Sequence, residues 1–435
     1  MHQVLFWIPV KFSWFPDGIP VYAYGAMLFS AFLATVMFSS RRAPRTGVNI
    51  SRDKIQDLAI LLFIAGLAGA RLTYMIQFNV PLTKFFRIWE GGIVLYGGII
   101  GGAIAFILYH HFMLKRFKIT LWQMADLAAP AVAIGVALGR VGCLLNGCCW
   151  GQAAGESCPA IEFPLLPAPS REMLVDKDGV QTVAGFLVER DLEDPRSIVR
   201  RIEPGSAADK AGLREGDRIL KIKTASEWRL NAEVMIVAGP SDEIAKFRET
   251  MKEYGRSEEV DSGAAESTTL KIFVEDPAKF RAAYEQAKSF AAAHQRTALR
   301  LDLYTDLLNN WPRGRNSIQF IVDRDGKEIE LPAFTPRSIG LHPTQLYEII
   351  SMVLLLLLVL AFYPFRQHDG QVFVLWMVAY SFHRFLNEIL RTEPVEGLNM
   401  TLSQNISVLV LAVAIGLEIY LRQTQPRRTT GAGPA

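Results

Sequence analysis

The sequence predicts an all-α polytopic membrane protein with an α+β domain inserted between its fourth and fifth spans. Half of the 435 residues are hydrophobic, yet 20% are charged, and the mean hydropathy is positive at +0.20. The apolar residues lie in long uncharged runs, whereas the charges concentrate between about residues 156 and 337. This segregation is typical of a membrane domain that carries a soluble insert.

Seven apolar runs are each long enough to cross ~30 Å of hydrocarbon as a helix. They lie near residues 21–38, 58–78, 93–112, 121–145, 345–363, 372–390 and 402–421. The first fifteen residues contain one lysine and no small-residue cleavage site, so we expect no cleavable signal peptide and expect the first span to direct insertion.

Basic residues orient these spans, because cytoplasmic flanks are rich in Lys and Arg. Three basic clusters fall on one predicted side: Arg41, Arg42, Arg45, Arg52 and Lys54; Lys115, Arg116 and Lys118; Arg422, Arg427 and Arg428. The amino terminus and residues 146–344 are therefore predicted to be periplasmic or exterior, and the carboxyl terminus cytoplasmic. A net charge of +3 over this length gives no reason to expect nucleic-acid binding.

The insert has the pattern of a small sheet domain. Residues 200–222 indicate a strand, a turn, a short helix capped by Ser206, a stop at Gly212 and a second strand, and closely resemble the middle of a PDZ domain. Residues 316–331 indicate a hairpin that resembles the last two PDZ strands, preceded by a helix at 301–310. An ordinary PDZ domain lacks the charged, alanine-rich stretch at 225–298, in which we expect a mobile loop at 258–268.

These patterns predict the following division of the chain. The expected segments are a membrane domain with four spans (1–150), an exterior connection (151–183), a periplasmic PDZ-like domain (184–335) interrupted at about 225–298, a membrane domain with three spans (336–425) and a cytoplasmic tail (426–435).

The stretch Gly-Arg-Val-Gly-Cys-Leu-Leu-Asn-Gly-Cys-Cys-Trp-Gly at 139–151 closes the fourth span. An unpaired guanidinium at Arg140 would cost several kcal/mol at a membrane boundary, so we expect an anionic partner. Gly135, Gly139 and Gly142 leave a strip without side chains, and Asn146 begins a turn. We interpret the stretch as an anion-binding rim at the membrane surface.

Tyr380, Arg384 and Glu388 have the spacing i, i+4, i+8 and therefore share one helical face. One interpretation is a structural ion pair; the other is that Glu388 orients Arg384 toward a phosphate. Arg71 on the second span is a further candidate, with snorkelling to the interface as its alternative.

Two weaker signals lie at the starts of spans. The sequence His-Pro-Thr-Gln-Leu-Tyr-Glu at 342–348 opens the fifth span, and its proline is ordinary helix-start chemistry. Tyr96 and Tyr24 each lie beside glycine near the start of a span, where tyrosines usually serve as interfacial anchors.

Taken together, Gly-Arg-Val-Gly-x-x-x-Asn-Gly-x-x-Trp-Gly, His-Pro-x-Gln-Leu-Tyr-Glu and Tyr-x-x-x-Arg-x-x-x-Glu, in this order, resemble the prolipoprotein diacylglyceryl transferase family. The resemblance covers about residues 22–145 and 342 to the last span. It implies a transferase of the bacterial inner membrane that moves diacylglycerol from phosphatidylglycerol to the lipobox cysteine of a preprolipoprotein. The functional positions that it implies are Tyr24, Arg71, Asp126, Arg140, Asn146, Gly151, Tyr380, Arg384 and Glu388. His342 is added as a lipid-binding candidate, and no cofactor is expected.

Arg140 and Arg384 suit this displacement reaction, because preorganised guanidinium groups stabilise the negative charge that builds on a departing phosphate. The substrate thiol must also lose a proton. The family histidine that is the usual base candidate is replaced here by Tyr96, and the family glutamate after Asn146 and Gly147 by Cys148. Our hypothesis is that Tyr96 acts beside an arginine; the alternatives are His342 or no dedicated base.

All four cysteines, Cys143, Cys148, Cys149 and Cys158, lie within sixteen residues. An oxidising compartment and an even count favour disulfides, with Cys148 paired to Cys158 as our guess among three pairings. The spacing lacks the Cys-x-x-Cys pattern of zinc sites. A covalent role for a cysteine is a further alternative.

The PDZ-like domain is a candidate peptide binder. Such domains add an extended peptide to a sheet edge, and Gly185, Phe186, Leu187 and Val188 could hold its carboxyl terminus. The partner would be a lipoprotein precursor or a protease; alternatively, the domain only packs. Two rival functions for the whole chain are a non-catalytic membrane receptor for lipid or peptide that has lost the base, and a membrane-anchored PDZ adaptor.

Overall fold

The computed structural model describes residues 2–10, 18–81, 83, 85–86, 92, 94–155, 158–189, 196–224, 227–231, 233–261, 267–309, 311, 313–395 and 397–427. The chain forms two compact units. The insert unit comprises Met1–Leu5, Asn146–Cys148 and Ala153–Leu341, and the membrane unit comprises Phe6–Leu145, Cys149–Gln152 and His342–Ala435.

The helices and strands follow each other along the chain in a simple order. The helices are α1 (Ala23–Arg42), α2 (Arg52–Gln77), α3 (Leu95–Tyr109), α4 (Leu121–Asn146), α5 (Pro169–Arg171), α6 (Ala207–Lys210), α7 (Ser241–Met251), α8 (Pro277–Ala293), α9 (Leu303–Asn309), α10 (Thr344–Phe362), α11 (Gln371–Ile389) and α12 (Leu402–Thr424). The strands are β1 (Val4–Ile8), β2 (Ile19–Tyr22), β3 (Phe186–Glu189), β4 (Ile198–Ile202), β5 (Arg218–Lys223), β6 (Trp228–Leu230), β7 (Glu233–Pro240), β8 (Arg256–Asp261), β9 (Ser267–Val274), β10 (Leu299–Asp302), β11 (Gln319–Arg324) and β12 (Lys327–Glu330).

Six helical segments of the described chain are long and apolar enough to cross a membrane. They are Ala23–Arg42, Arg52–Gln77, Tyr96–Phe117, Leu121–Asn146, Thr344–Phe365 and Leu402–Thr424. The chain is therefore a polytopic membrane protein with an inserted domain. Seven spans are not confirmed, because the apolar run of α11 is interrupted by His383, Arg384 and Glu388.

Glycines bring α2 and α3 into close contact. A Cβ atom on Gly69 would lie 2.4 Å from the carbonyl oxygen of Gly97, and one on Gly101 would lie 2.5 Å from that of Ala65. Membrane helices associate largely through such close backbone packing, since burial from water does not drive them together. The strip expected on α4 is uneven, because a Cβ atom on Gly139 would meet nothing within 4 Å, whereas one on Gly142 would lie 3.0 Å from a ring carbon of Tyr24.

The PDZ-like part of the insert unit is a sheet with the order β12-β11-β5-β4-β3, in which β6 also pairs with β5. The Ser206 side chain caps α6 by accepting from the amide of Asp209, and Gly212 has φ +85°, as the sequence predicts. The β11–β12 hairpin turns at Asp325 and Gly326, which both have positive φ. Helix α9 packs by stacking Tyr304 on Phe186, with ring centroids 5.3 Å apart.

The extra segment of the insert unit is a second sheet with the order β10-β7-β9-β8, all pairs antiparallel. Its chain order is β7-α7-β8-β9-α8-β10, which is the arrangement of a ferredoxin-like fold. Helices α7 and α8 share a buried core with the sheet. That core comprises Met235, Val237, Ile244, Met251, Leu270, Ile272, Val274, Phe280, Ala283, Ala287 and Ala291.

Our prediction of a mobile loop at 258–268 is wrong at both ends, and residues 262–266 lie outside the described residues. Glu258 belongs to β8 and faces Lys271 of β9, while Arg256 lies over the ring of Phe273 at 4.6 Å from its centroid. An ion pair between Arg256 and Glu258 on β8, and the cation–π contact from Arg256 across to β9, stabilise a segment whose composition resembles a loop.

Candidate active site

The centre of the candidate site is the buried carboxylate of Glu348, on the second turn of α10. Its Oε2 atom lies 2.9 Å from Nε of Arg140 on α4 and 3.9 Å from Nη1 of Arg384 on α11. Glu348 is only 1% exposed. Arg140 therefore has the anionic partner that its position required, and that partner also brings the second arginine to the same place.

A second carboxylate holds Arg384 from its own helix. Nη2 of Arg384 lies 2.9 Å from Oε2 of Glu388, one turn further along α11, as the i, i+4 spacing predicts. Nε of Arg391 lies 3.6 Å from the same oxygen, and the Thr401 hydroxyl donates to Oε1 of Glu388 over 3.2 Å.

The balance of charge favours an anion at this place. Three guanidinium groups, of Arg140, Arg384 and Arg391, face the two buried carboxylates of Glu348 and Glu388. All three arginine side chains are less than one-fifth exposed. Glu393 also pairs with Arg391, from the solvent side. The Glu393 side chain is 45% exposed, so water screens its charge. Counting this acid, the charges of the cluster balance, but only two carboxylates are buried beside three guanidinium groups, so the buried part of the cluster carries an excess of positive charge.

A polar pocket of about 250 Å³ adjoins Glu388. Ser403 lines it and accepts a hydrogen bond of 2.9 Å from Nη2 of Arg384. The Tyr96 hydroxyl lies 3.5 Å from the same Ser403 oxygen. Tyr96 is thus connected to an arginine through one intervening hydroxyl, which bears directly on its candidate role.

The aromatic member of the α11 face is held by stacking. The Tyr380 ring lies parallel to that of Trp376, with centroids 5.0 Å apart. Nδ2 of Asn387, on the same helix, donates to Oε2 of Glu348 over 3.5 Å. One side of α11 therefore presents a guanidinium and an amide group toward the buried carboxylates, beside the ring of Tyr380.

Gly151 has a packing role that the sequence did not reveal. A Cβ atom there would lie 2.5 Å from the carbonyl oxygen of Leu390, at the end of α11. The Gly151 amide donates to the carbonyl of His342 over 2.8 Å, and the Gln152 amide donates to that of Leu390 over 2.8 Å. Gly151 thereby lets one backbone segment join the start of α10 to the end of α11.

Three other predicted lipid-binding residues have different surroundings. The carboxylate of Asp126 accepts from the amides of Gly370 and Phe373 over 2.9 and 3.0 Å, and so caps α11. Arg71 is 2% exposed and donates to the carbonyl of Gly92 over 3.1 Å, so it points inward instead of snorkelling. Tyr24 packs on Gly142. Their lipid-binding roles stay predictions.

Asn146 and Gly147 form the predicted turn, and Gly147 has φ +72°. In the insert unit, the Asn146 carbonyl accepts from Nε2 of Gln3 over 3.2 Å. In the membrane unit, the sulfur atoms of Cys143 and Cys149 lie within 4.8 Å of one another, while Cys158 is exposed. The pairing of the cysteines stays a prediction.

The candidate peptide-binding strand β3 lies at the edge of its sheet. The Gly185 amide already donates to the Thr182 hydroxyl over 3.0 Å, so it is not directed at a ligand. The backbone amide of Glu203 donates to the Gly185 carbonyl over 2.9 Å, and Phe186 lies opposite Ile202. In such a non-hydrogen-bonded pair, the backbone groups of Phe186 point away from β4, toward the open edge.

Comparisons with known proteins identify the families to which parts of the chain are similar. The model of the family "Prolipoprotein diacylglyceryl transferase" matches residues 9–190 and 286–420, and the model "PDZ domain" matches residues 173–245. A phosphatidylglycerol–prolipoprotein diacylglyceryl transferase of Rhodopirellula baltica is 34% identical over 217 residues, which is 47% of this chain and 43% of that protein. Transferases of the same name from Sodalis glossinidius (31% identity; 40% of this chain, 62% of that protein) and Clostridium tetani (37%; 33% and 56%) also match. The matches span about half the length of these relatives.

Proposed function

The chain belongs to the prolipoprotein diacylglyceryl transferase family, and from this premise we propose that it transfers diacylglycerol from phosphatidylglycerol to the lipobox cysteine of preprolipoproteins. The cysteine sulfur forms a bond to the glyceryl carbon, and the bond from that carbon to the phosphate oxygen breaks. The products are a thioether and glycerol phosphate, and the thiol proton leaves.

The observation that carries the proposal is the convergence of Arg140 and Arg384 on Glu348. Negative charge builds on the phosphate as it departs, and guanidinium groups fixed beforehand stabilise this charge without reorganising. Planar guanidinium groups also suit a phosphate geometrically. Glu348 and Glu388 would hold the arginines in place, while Tyr380 would line the site beside them.

We propose that Tyr96 is the base that accepts the proton of the attacking thiol. The Tyr96 hydroxyl and Arg384 share the hydroxyl of Ser403, so positive charge lies one residue away from the phenol. The alternatives remain His342 and a substrate thiol that the arginines alone make acidic. The pH profile of turnover by Tyr96→Phe tests this role. A profile identical to that of the unaltered protein contradicts a role for Tyr96 as the base.

The membrane arrangement proposed with this function has seven spans, of which α11 is the sixth. The charged side chains on α11 pair with residues of α10 and α12, which supports a helix surrounded by others instead of by lipid. The bilayer is the bacterial inner membrane, with the amino terminus and the PDZ-like domain periplasmic. We retain the segment limits 1–150, 151–183, 184–335, 336–425 and 426–435. Accessibility of single cysteines introduced at Gln3 and Gln423 to an impermeant reagent tests the orientation.

We further propose that β3 receives an extended peptide of a lipoprotein precursor or a protease. The support is its edge position and the outward backbone groups of Phe186. Leu187 is 47% exposed on the same strand. A Phe186→Pro variant removes the amide donor, so it should lose a peptide that the unaltered protein binds, whereas Leu187→Thr should keep its backbone hydrogen bonds.

The decisive experiment measures labelled diacylglycerol passing from phosphatidylglycerol to a lipobox peptide. The unaltered protein should label the peptide, Arg140→Ala and Arg384→Ala should not, and Arg422→Ala should match the unaltered protein, since the Arg422 side chain is 64% exposed. An inactive protein that still binds phosphatidylglycerol would favour the alternative function of a non-catalytic membrane receptor. A protein that binds no lipid would favour the adaptor, although buried intramembrane arginines are costly for a tether.

A further inference from the structure

The polar pocket of about 250 Å³ beside Glu388 has a second carboxylate in its wall, that of Glu393. Tyr96, from the first turn of α3, lines the same pocket. The Glu393 side chain is 45% exposed, so the pocket extends from the phenol to a group in contact with solvent. A polar space of this size holds several water molecules, since one water needs only about 10–15 Å³ of such volume. Water can therefore join Tyr96 to Glu393.

The loop that carries Glu393 is held in place on both sides of this residue. Val395 and Thr401 form an antiparallel bridge that closes the loop between α11 and α12. Nη2 of Arg391 donates to Oε1 of Glu393. A carboxylate has two oxygen atoms and room for about four hydrogen bonds, so this contact leaves Glu393 able to accept from the pocket as well. The carboxylate is thus both exposed and fixed in position.

The other polar side chains that line the pocket are less suited to take up a proton. Glu388 is 2% exposed and is held by Arg384 at 2.9 Å and by the Thr401 hydroxyl at 3.2 Å. Ser403 accepts from Arg384 over 2.9 Å, and a hydroxyl is a much weaker base than a carboxylate. Among the described residues of this pocket, Glu393 is therefore the acid group that can both accept a proton and release it to solvent.

Tyr96 needs an acceptor of this kind if it is to deprotonate a thiol. Phenols are ordinarily protonated at neutral pH, so a tyrosine takes up a second proton only as its own hydroxyl proton leaves. A base connected to the phenol by hydrogen bonds, directly or through one water, allows both transfers to occur together. The pocket supplies this connection on the side of Glu393.

We infer that Tyr96 relays the proton of the attacking thiol through pocket water to Glu393. The S–H bond of the thiol breaks and an O–H bond forms at Tyr96, while the original Tyr96 proton passes to water and a proton of that water passes to the Glu393 carboxylate. Tyr96 ends the step as it began, and Glu393 then releases its proton to solvent. The inference rests on the proposed function and adds the residue at which the proton leaves the site.

A substitution that keeps the shape of Glu393 tests the relay. Glu393→Gln retains an oxygen that accepts from Arg391 but is not a base, so kcat for labelling of a lipobox peptide should fall by about 100-fold or more, while the KM for phosphatidylglycerol stays the same. Glu259→Gln is the matched control, because Glu259 is 44% exposed and pairs with Arg248 over 2.9 Å. An unaltered kcat in Glu393→Gln overturns the relay, and so does a change confined to KM.

Chemical rescue separates proton transfer from a structural role. Formate should restore part of the rate to Glu393→Ala, which leaves space for a small carboxylate, and none to Tyr96→Phe. The double variant Tyr96→Phe/Glu393→Gln should be no slower than the slower single variant, because residues that act as one unit are not additive. Absence of rescue together with multiplied effects overturns the relay. An unaltered protein that transfers no diacylglycerol refutes the proposed function and the relay together, whereas transfer that survives Glu393→Gln refutes the relay alone.

Discussion

Arg140 and Glu348 form an ion pair of 2.9 Å that joins α4 to α10, and the same carboxylate oxygen lies 3.9 Å from Arg384 of α11. One buried acid thus fixes the positions of two arginines from different helices. Because breaking a buried pair leaves an uncompensated charge, the site and the helix packing depend on the same residue.

Glu348→Gln should therefore lower transfer by at least about 100-fold and destabilise the protein by about 3 kcal/mol, since two guanidinium groups lose their shared counter-charge. The measurements are initial rates of peptide labelling and the thermal midpoint. Glu249→Gln is the control, because its carboxylate is 66% exposed and belongs to a surface ion pair with Lys252. Full activity in Glu348→Gln would contradict the arrangement.

Gly151→Ala should destabilise the protein by about 1–3 kcal/mol, because the new methyl group would overlap the Leu390 carbonyl at 2.5 Å. The thermal midpoint in detergent reports the effect. Gly139→Ala provides the comparison, since a Cβ atom there meets nothing within 4 Å. Equal midpoints for the two variants would show that the segment at 151 relaxes.

Asp126→Ala should weaken the start of α11 by about 1 kcal/mol, as loss of a helix cap does. If capping is its whole role, the KM for phosphatidylglycerol should stay unchanged once the folded fraction is corrected. Asp126→Asn should recover part of the stability. A large rise in KM in both variants would instead support direct lipid binding.

Arg324→Ala should destabilise the PDZ-like sheet by about 3 kcal/mol, because Asp217 is buried and loses a partner at 2.7 Å. The hydrogen bond from Asp217 raises the pKa of Arg324, so the guanidinium remains charged at every physiological pH. Limited proteolysis of the intact protein measures the opening of this sheet. Arg200→Ala, at an exposed ion pair, should leave the cleavage rate unchanged.

The ferredoxin-like sheet should show a pH dependence through His294. The Phe290 carbonyl, and then the Glu243 carboxylate, raise the pKa of this imidazole above 6.5. The stabilisation is fully present below about pH 6.5 and is lost as pH rises through the raised pKa. Cleavage within residues 233–302 should therefore speed up as the pH rises above about 6.5, and His294→Gln should remove this change. An unaltered pH dependence in His294→Gln would exclude the imidazole.

The sequence was most informative where geometry is local. The i, i+4 relation of Arg384 and Glu388 and the cap at Ser206 depend on residues within one turn, so spacing alone predicts them. Glu348 was missed as the partner of Arg140 although its motif was recognised, because the pairing joins positions 208 residues apart. The signal that could have found it is the need of a buried guanidinium for an acid among few intramembrane carboxylates.

The second sheet of the insert unit was missed for a different reason. Residues 225–298 contain many charges and alanines, which resemble a loop when composition is averaged. The pairing of Glu258 with Lys271 and the alanine face of α8, at Ala283, Ala287 and Ala291, become meaningful only when both strands and the helix are placed together.

The ferredoxin-like fold begins and ends at neighbouring positions, since Glu233 at the start of β7 pairs with Asp302 at the end of β10. The Cα atoms of such partners are about 5 Å apart, a gap that two or three residues can bridge. Residues 233–302 are thus an insertion that leaves and rejoins the chain at neighbouring points, while Val234 and Phe273 on its strands pack into the core of the PDZ-like sheet. The insertion adds seventy residues to the chain, yet the two points where it leaves and rejoins the PDZ-like part stay close together.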